Sequence, residues 1–419
     1  MPTAARLRID DLGDPRLPLP VRAFNALGGP LAERLASLDE GELCAAARRH
    51  TGVYDFGPDH FRTPLRMLLT ALVTEADLSV LGRVLTGQFL TGLLATRLRL
   101  TQLLDDHPEI LEEGVDAPLV ILGLPRTGTT HLHNLLAQDP ALRSLPYWES
   151  LEPIPEPRWR RPAAGADPRR RRCEQALRFQ HWVMPLFPAM HEMTADACHE
   201  EIQLLAVDFS TMLFEASYHV PGYRDWYVAS DQTEAYRTLK VLLQALQWLR
   251  GPKRWVLKSP QHLEQLGPLL RVFPDARLVQ THRDPVRVTA SMCTMATYGL
   301  RMNSAHIDPV ASGHYWAARV ERMLRRSIED RRLVPSGQVL DVRFDEFMAD
   351  EVGTVERIYA FADQPLTEAA RRAMAAYRDG HRPGRHGTIV YRLEDFRLDD
   401  EERRTALRFY QERFGVPDE

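Results

Sequence analysis

Residues Gly123-Leu124-Pro125-Arg126-Thr127-Gly128-Thr129-Thr130 bring several anion-holding groups together in one glycine-bounded loop. Two glycines let backbone N–H groups approach a ligand, three threonines add hydroxyl donors, and Arg126 can grip two anionic oxygens with its planar fork. The nucleotide triphosphatase loop places Lys and then Ser/Thr directly after its second glycine, with the hydroxyl on magnesium. Here Thr129 occupies that lysine position. The chemistry suggested is therefore retention of a phosphate or sulfate ester without a metal. Two further cations, Lys258 in Lys258-Ser259-Pro260-Gln261-His262 and Arg283 in His282-Arg283-Asp284-Pro285, lie where strands give way to connections, which points to a site shared with the loop.

Strands and helices must hold these groups. Pro118 to Gly123 is apolar and β-branched, as a buried parallel strand is, and Leu132, Leu135 and Leu136 recur afterwards at helical spacing. Strand, glycine-bounded loop and helix together aim N–H groups and a helix dipole at an anion. Trp255 to Leu257 and Arg277 to Thr281 read as two more buried strands, each followed by a helical pattern. Lys258 and Arg283 thus lie at the carboxyl ends of strands, where open α/β sheets bind ligands. Val339 to Phe344 is a further strand, followed by Asp345-Glu346-Phe347.

The length of 419 residues suits one large α/β domain with an accessory region, and 44% apolar with 26% charged residues is typical of a globular protein. A net charge of −4 offers no global attraction to nucleic acid or acidic membranes. Only three of the 53 basic residues are lysines (Lys240, Lys253, Lys258), a bias we attribute to a GC-rich genome. Four scattered cysteines without a CxxC pair suggest neither disulfides nor zinc. The charged start of the chain has no signal-peptide h-region, and the apolar stretch Leu78 to Leu100 carries three arginines, so no integral membrane segment is expected. A cytoplasmic location follows as the expectation.

Residues up to about Gly114 read as helical, with Ser37-Leu38-Asp39-Glu40 as a capping box and leucines at three- and four-residue intervals from Thr63 to Leu104. This layer is expected to pack beside the sheet; a substrate wall or a homodimer face is the alternative. Ala141 to Arg172 contains six prolines and the run Arg169 to Arg172, and is expected to be a long surface loop. Cys173 to Leu249 returns to an aromatic-rich helical texture, and a charged helix is expected from Ser312 to Arg332. Gly380 to Tyr391 is a basic, glycine-bearing loop, and a last helix starts near Asp399.

Taken in order, Leu124 to Thr130, Lys258-Ser259-Pro260, Arg283 with Ser291 eight residues on, and Val342 to Phe347 resemble the motifs of sulfotransferases that use 3′-phosphoadenosine 5′-phosphosulfate (PAPS), in particular a bacterial branch whose loop reads PRTGTT. The resemblance spans about Pro118 to Tyr391. It implies an α/β fold of the P-loop-kinase type, a parallel sheet flanked by helices with an N-terminal helical region. The implied division is residues 1–114 helical, 115–398 the PAPS-dependent domain containing the 146–172 Pro/Arg-rich loop, and 399–419 a closing helix. It also implies that Arg126, Thr127, Gly128, Thr129 and Thr130 hold the 5′-phosphosulfate, and that Arg283 and Ser291 hold the 3′-phosphate. Arg385-His386-Gly387 stands where relatives carry an Arg-Lys-Gly clamp, with His in place of Lys. Lys258 corresponds to the lysine on the bridging oxygen, and desulfated PAP is the implied product; no metal is required.

Sulfuryl transfer to an alcohol or phenol resembles phosphoryl transfer, and Arg126, Lys258 and the helix start at Thr129 would stabilise the charge that develops. A general base must take the acceptor's proton. His262, four residues after Lys258, and Glu149, in Tyr147-Trp148-Glu149, are the two candidates. The acceptor class is a small molecule, lipid or natural product bearing a hydroxyl. The competing readings are a nucleotide or small-molecule kinase, against which the missing lysine argues, and a non-catalytic PAP-binding module.

Overall fold

The computed structural model describes residues 6–29, 32–156, 167–381 and 387–419. Its centre is a five-stranded sheet in the order β3-β6-β2-β7-β8, every neighbouring pair parallel: β2 (Leu119–Leu122), β3 (Leu142–Arg143), β6 (Arg254–Lys258), β7 (Arg277–His282) and β8 (Val339–Arg343). The expected strands at 118–123, 255–257, 277–281 and 339–344 are all present, within a residue or two of the expected bounds. Their apolar residues alternate between the two faces of the sheet. Leu119, Ile121, Val256 and Val279 pack with Leu132, Leu135 and Leu136 of the helix Thr129–Leu136 on one face. Val120, Leu122, Trp255, Leu257 and Leu278 join the larger core on the other. Burial on both faces explains why these strands read as continuous hydrophobic runs.

The larger core continues without a break into the N-terminal helices, through Leu65 and Leu68 of Arg62–Thr74 and Leu90, Leu94 and Leu98 of Val80–Asp106. In the expected cap Asp39, not Ser37, accepts from the helix, at Glu42 N (3.0 Å). The N-terminal region is not wholly helical. Arg6–Leu7 forms β1, which pairs in parallel with Thr388–Ile389 (β9) inside the stretch expected to be a loop.

The Pro/Arg-rich loop is also shorter than expected. Leu145–Pro146 (β4) pairs antiparallel with Cys198–His199 (β5), the short helix Tyr147–Leu151 follows, and Pro168 opens a helix that runs to Val183. Pro168 sits at the first helical position, where its missing N–H costs nothing, and Asp167 caps it. Arg169 to Arg172 are therefore helical. Among the described residues no helix is long and apolar enough to cross a membrane.

Candidate active site

The anion-binding loop is built from its backbone outward. A Cβ on Gly123 would lie 2.2 Å from Thr281 Oγ1, so only glycine lets β7 pass this close. Gly128 takes φ +86°, the left-handed region, and caps the helix Thr129–Leu136. Thr281 donates to Thr127 Oγ1 (2.6 Å), and Thr127 donates in turn to Leu124 O (2.6 Å). Thr127 therefore folds the loop, and its proton is spent on the protein. The N–H groups of the first helical turn and the hydroxyls of Thr129 and Thr130 remain for a ligand.

Arg126 also takes a left-handed conformation, φ +73°, which costs a non-glycine residue about 1–3 kcal/mol. Three other residues hold it there. Arg283 Nη1 donates to Arg126 O (2.9 Å), while the Arg126 guanidinium donates to Met190 O and reaches Tyr391 OH at 3.5 Å. At least one N–H of each terminal Arg126 nitrogen is thus committed to the protein.

Lys258 ends β6, beside β2, and is 2% exposed. Its Nζ lies 3.4 Å from Thr130 Oγ1 and donates to Glu200 Oε1. Arg283 follows β7 on the other side of β2. The guanidinium sits 4.0 Å from the ring centroid of Phe344, and Glu419 accepts two of its N–H bonds. Ser291 lies in the helix Pro285–Gly299, capped by Asp284. Thr289 and Thr294 in the same helix bond back to carbonyls one turn earlier, whereas the Ser291 Oγ is buried without a hydrogen-bond partner among the described residues. A buried hydroxyl of this kind costs stability unless something else bonds it. Arg385 and His386 lie outside the described residues; Gly387, at φ +89°, precedes β9.

The two sequence candidates for the base occupy other positions. His262 is fully buried; its Nε2 meets Glu201 Oε1 at 2.5 Å and its Nδ1 meets Tyr236 OH at 2.7 Å. Glu201 also accepts from Lys258 N (2.8 Å), so His262 buttresses the backbone behind the lysine rather than contacting its ammonium. Glu149 accepts from Arg143 (3.1 Å) and Arg250 (3.2 Å). Arg143 registers with Trp255, three residues before Lys258 on β6. At about 3.3 Å per residue, that puts Glu149's partner roughly 10 Å along the strand from Lys258, toward the amino end of the sheet.

Three side chains not singled out in the sequence gather near Lys258 instead: Glu200, His191 and His199. Burial, with the positive charges of Lys258 and Arg126 added, lowers His191 to a pKa of about 3. Burial and the neighbouring His191 and Lys258 hold His199 well below the ordinary histidine value. His133, on the loop's own helix, is lowered to about 4 by burial and Lys258. Among the described residues, the surroundings of Lys258 thus hold these three histidines, all below the ordinary histidine pKa, and two carboxylates, Glu200 at its Nζ and Glu201 at its backbone N–H. The signal available in the sequence was the His199-Glu200-Glu201 run, which is indistinguishable there from a charged helical turn.

A model described as the sulfotransferase family matches residues 118–368. Curated relatives include the omega-hydroxy-beta-dihydromenaquinone-9 sulfotransferase Stf3 of Mycobacterium bovis, 27% identical over 256 residues, 58% of this chain and 62% of the relative. The Stf3 of Mycobacterium tuberculosis matches equally. The chain thus spans 62% of the length of the curated relatives it matches. Among solved structures, sulfotransferase STF1 from Mycobacterium tuberculosis H37Rv is 33% identical with a TM-score of 0.77, over 88% of this chain and 98% of that one. Sulfotransferase STF9 from Mycobacterium avium is 29% identical with a TM-score of 0.80, over 90% and 97%.

Proposed function

The chain belongs to the sulfotransferase family, and from that premise we propose that it moves the sulfuryl group of PAPS to the hydroxyl of a small-molecule or lipid acceptor. The observation that carries this reading is the contact of Lys258 Nζ with Thr130 Oγ1 (3.4 Å), which brings the lysine of one strand end against the anion loop of the next. PAPS presents three anionic centres: a sulfonate, a 5′-phosphate and a 3′-phosphate. The donor set fits them. The first turn of Thr129–Leu136 and the Thr129 and Thr130 hydroxyls suit the phosphosulfate, and Arg283 with the orphaned Ser291 hydroxyl suits the 3′-phosphate.

In this reading Lys258 Nζ neutralises the charge left on the bridging oxygen as the sulfur departs. Arg126 contributes its left-handed backbone, which shapes the loop, and its fork borders the phosphosulfate. The three neutral histidines keep like charge away from Lys258. The similarity to the Stf3 relatives, omega-hydroxy-beta-dihydromenaquinone-9 sulfotransferases, favours a lipid hydroxyl as acceptor. We read the protein as cytoplasmic and metal-independent.

Calorimetry with PAP in the presence of a chelator tests the reading, followed by transfer of 35S-labelled sulfate from PAPS. Binding without metal and labelled product are expected. No heat of PAP binding at millimolar ligand would refute it.

A further inference from the structure

We infer that Glu200, the carboxylate paired with Lys258 beside the anion loop, is the general base that removes the acceptor's hydroxyl proton. The inference rests on the sulfotransferase reading above.

Reach and access come first. Glu200 Oε1 accepts from Lys258 Nζ, which itself touches Thr130 of the loop, so the carboxylate is one side chain away from the phosphosulfate position. Its side chain is 19% exposed, against 4% for Glu149 and 1% for Glu201. A base must meet an acceptor that arrives from solvent. Of these three carboxylates Glu200 alone combines contact with Lys258 Nζ and an open side.

Its position is also fixed from both flanks. On one side His199 pairs with Leu145 in the β4–β5 ladder, and on the other Glu201 is tied to His262 and to the Lys258 N–H. The backbone at residue 200 is thereby held while its carboxylate faces the lysine, as a positioned catalytic group requires. The histidines nearby compete poorly. Histidine is useful as a base near neutrality because its pKa is ordinarily close to 6.5. At about 3 for His191 and about 4 for His133, that advantage is gone, and His133 Nε2 is already bonded to Val256 O.

The step balances as follows. The acceptor oxygen forms a bond to sulfur while the bond from sulfur to the bridging oxygen breaks. That electron pair leaves on the 5′-phosphate of PAP, steadied by Lys258 Nζ, and the acceptor's proton moves to Glu200. The lysine serves both groups. In the structure it is the ion-pair partner of Glu200, and in the reaction it is the partner of the leaving oxygen.

The test compares wild type, Glu200→Gln and Glu200→Asp with 35S-labelled PAPS and two acceptors, 1-dodecanol and p-nitrophenol. The phenol is largely ionised slightly above neutral pH and needs little help from a base. Glu200→Gln is expected to cut transfer to the alcohol by about 10²–10⁴-fold, transfer to the phenolate by less than about tenfold, and to leave PAP affinity undiminished. Glu200→Asp should recover part of the alcohol activity. Equal losses on the two acceptors, near-normal alcohol transfer, or a parallel loss of PAP affinity would overturn the assignment while leaving the sulfotransferase reading intact. Wild-type protein that fails to bind PAP, or binds it and releases no label from PAPS, overturns both.

Discussion

Glu419 takes the guanidinium fork of Arg283 with both carboxylate oxygens, Oε1 at 2.8 Å from Nε and Oε2 at 2.7 Å from Nη2. The same arginine donates its Nη1 to Arg126 O, so one side chain links the segment Gly415–Glu419 to the bend of the anion loop. A carboxylate in this geometry mimics a phosphate on the fork. If Arg283 receives the 3′-phosphate, Glu419 must be displaced first.

Glu419→Ala is therefore expected to tighten PAP binding. The pair is partly exposed on both sides, 25% and 30%, so its worth is about 0.2–1 kcal/mol, a gain of at most about fivefold. Calorimetry at low and high salt checks it, since screening should shrink the difference. Unchanged affinity at low salt would show that the two anions do not compete.

Arg283→Ala is expected to weaken PAP by about 1.5–3 kcal/mol, roughly 10- to 150-fold, through loss of a charged hydrogen-bond donor. Adenosine 5′-phosphosulfate, which lacks the 3′-phosphate, should lose less. It should still lose something, because the Arg126 carbonyl would no longer be held. Equal losses for the two ligands would confine Arg283 to its work on the loop.

Ser291→Ala separates binding from folding. The hydroxyl has no partner among the described residues, so its removal should leave Tm unchanged or slightly raised. PAP affinity should fall by about 0.5–1.5 kcal/mol, the worth of one hydrogen bond. A large drop in Tm with unaltered PAP binding would identify Ser291 as a packing residue.

His262→Ala is expected to act on stability above all. It leaves the buried Glu201 carboxylate without its ring partner, a loss of about 1–3 kcal/mol for a buried acceptor deprived of a hydrogen bond. Urea unfolding measures this. An unchanged unfolding midpoint together with abolished transfer would instead return His262 to the role of base.

Much of this arrangement was legible in the residues themselves. Parallel strands buried on both faces cannot help being apolar throughout, which is why 119–122, 254–258 and 277–282 were readable to within two residues. The loop announced itself because Gly123 and Gly128 answer local demands, a close approach and a positive φ. What could not be read depends on partners far away in sequence. Glu200 looks like any surface glutamate until Lys258 arrives from 58 residues on. Glu149 was a candidate base from its spacing after the loop helix, whereas its pairing with Arg143 and Arg250, one of them placed by the register of β3 against β6, leaves no trace in composition. The prolines before Arg169 suggested a loop, since a proline that begins a helix and one that forbids it are the same letter.

The anchoring of Arg126 also sets an order of events during synthesis. Tyr391, which the Arg126 guanidinium meets at 3.5 Å, is separated from it by 265 residues, and β1 finds its partner only in β9. At about 5–20 residues per second, roughly 10–50 s pass between emergence of the loop and emergence of its anchor. Through that interval a nascent chain carries the glycine-bounded turn and its helix without the tyrosine that steadies the arginine. Competence to hold the donor would therefore be acquired only after Tyr391 has emerged, rather than when the central strands first assemble.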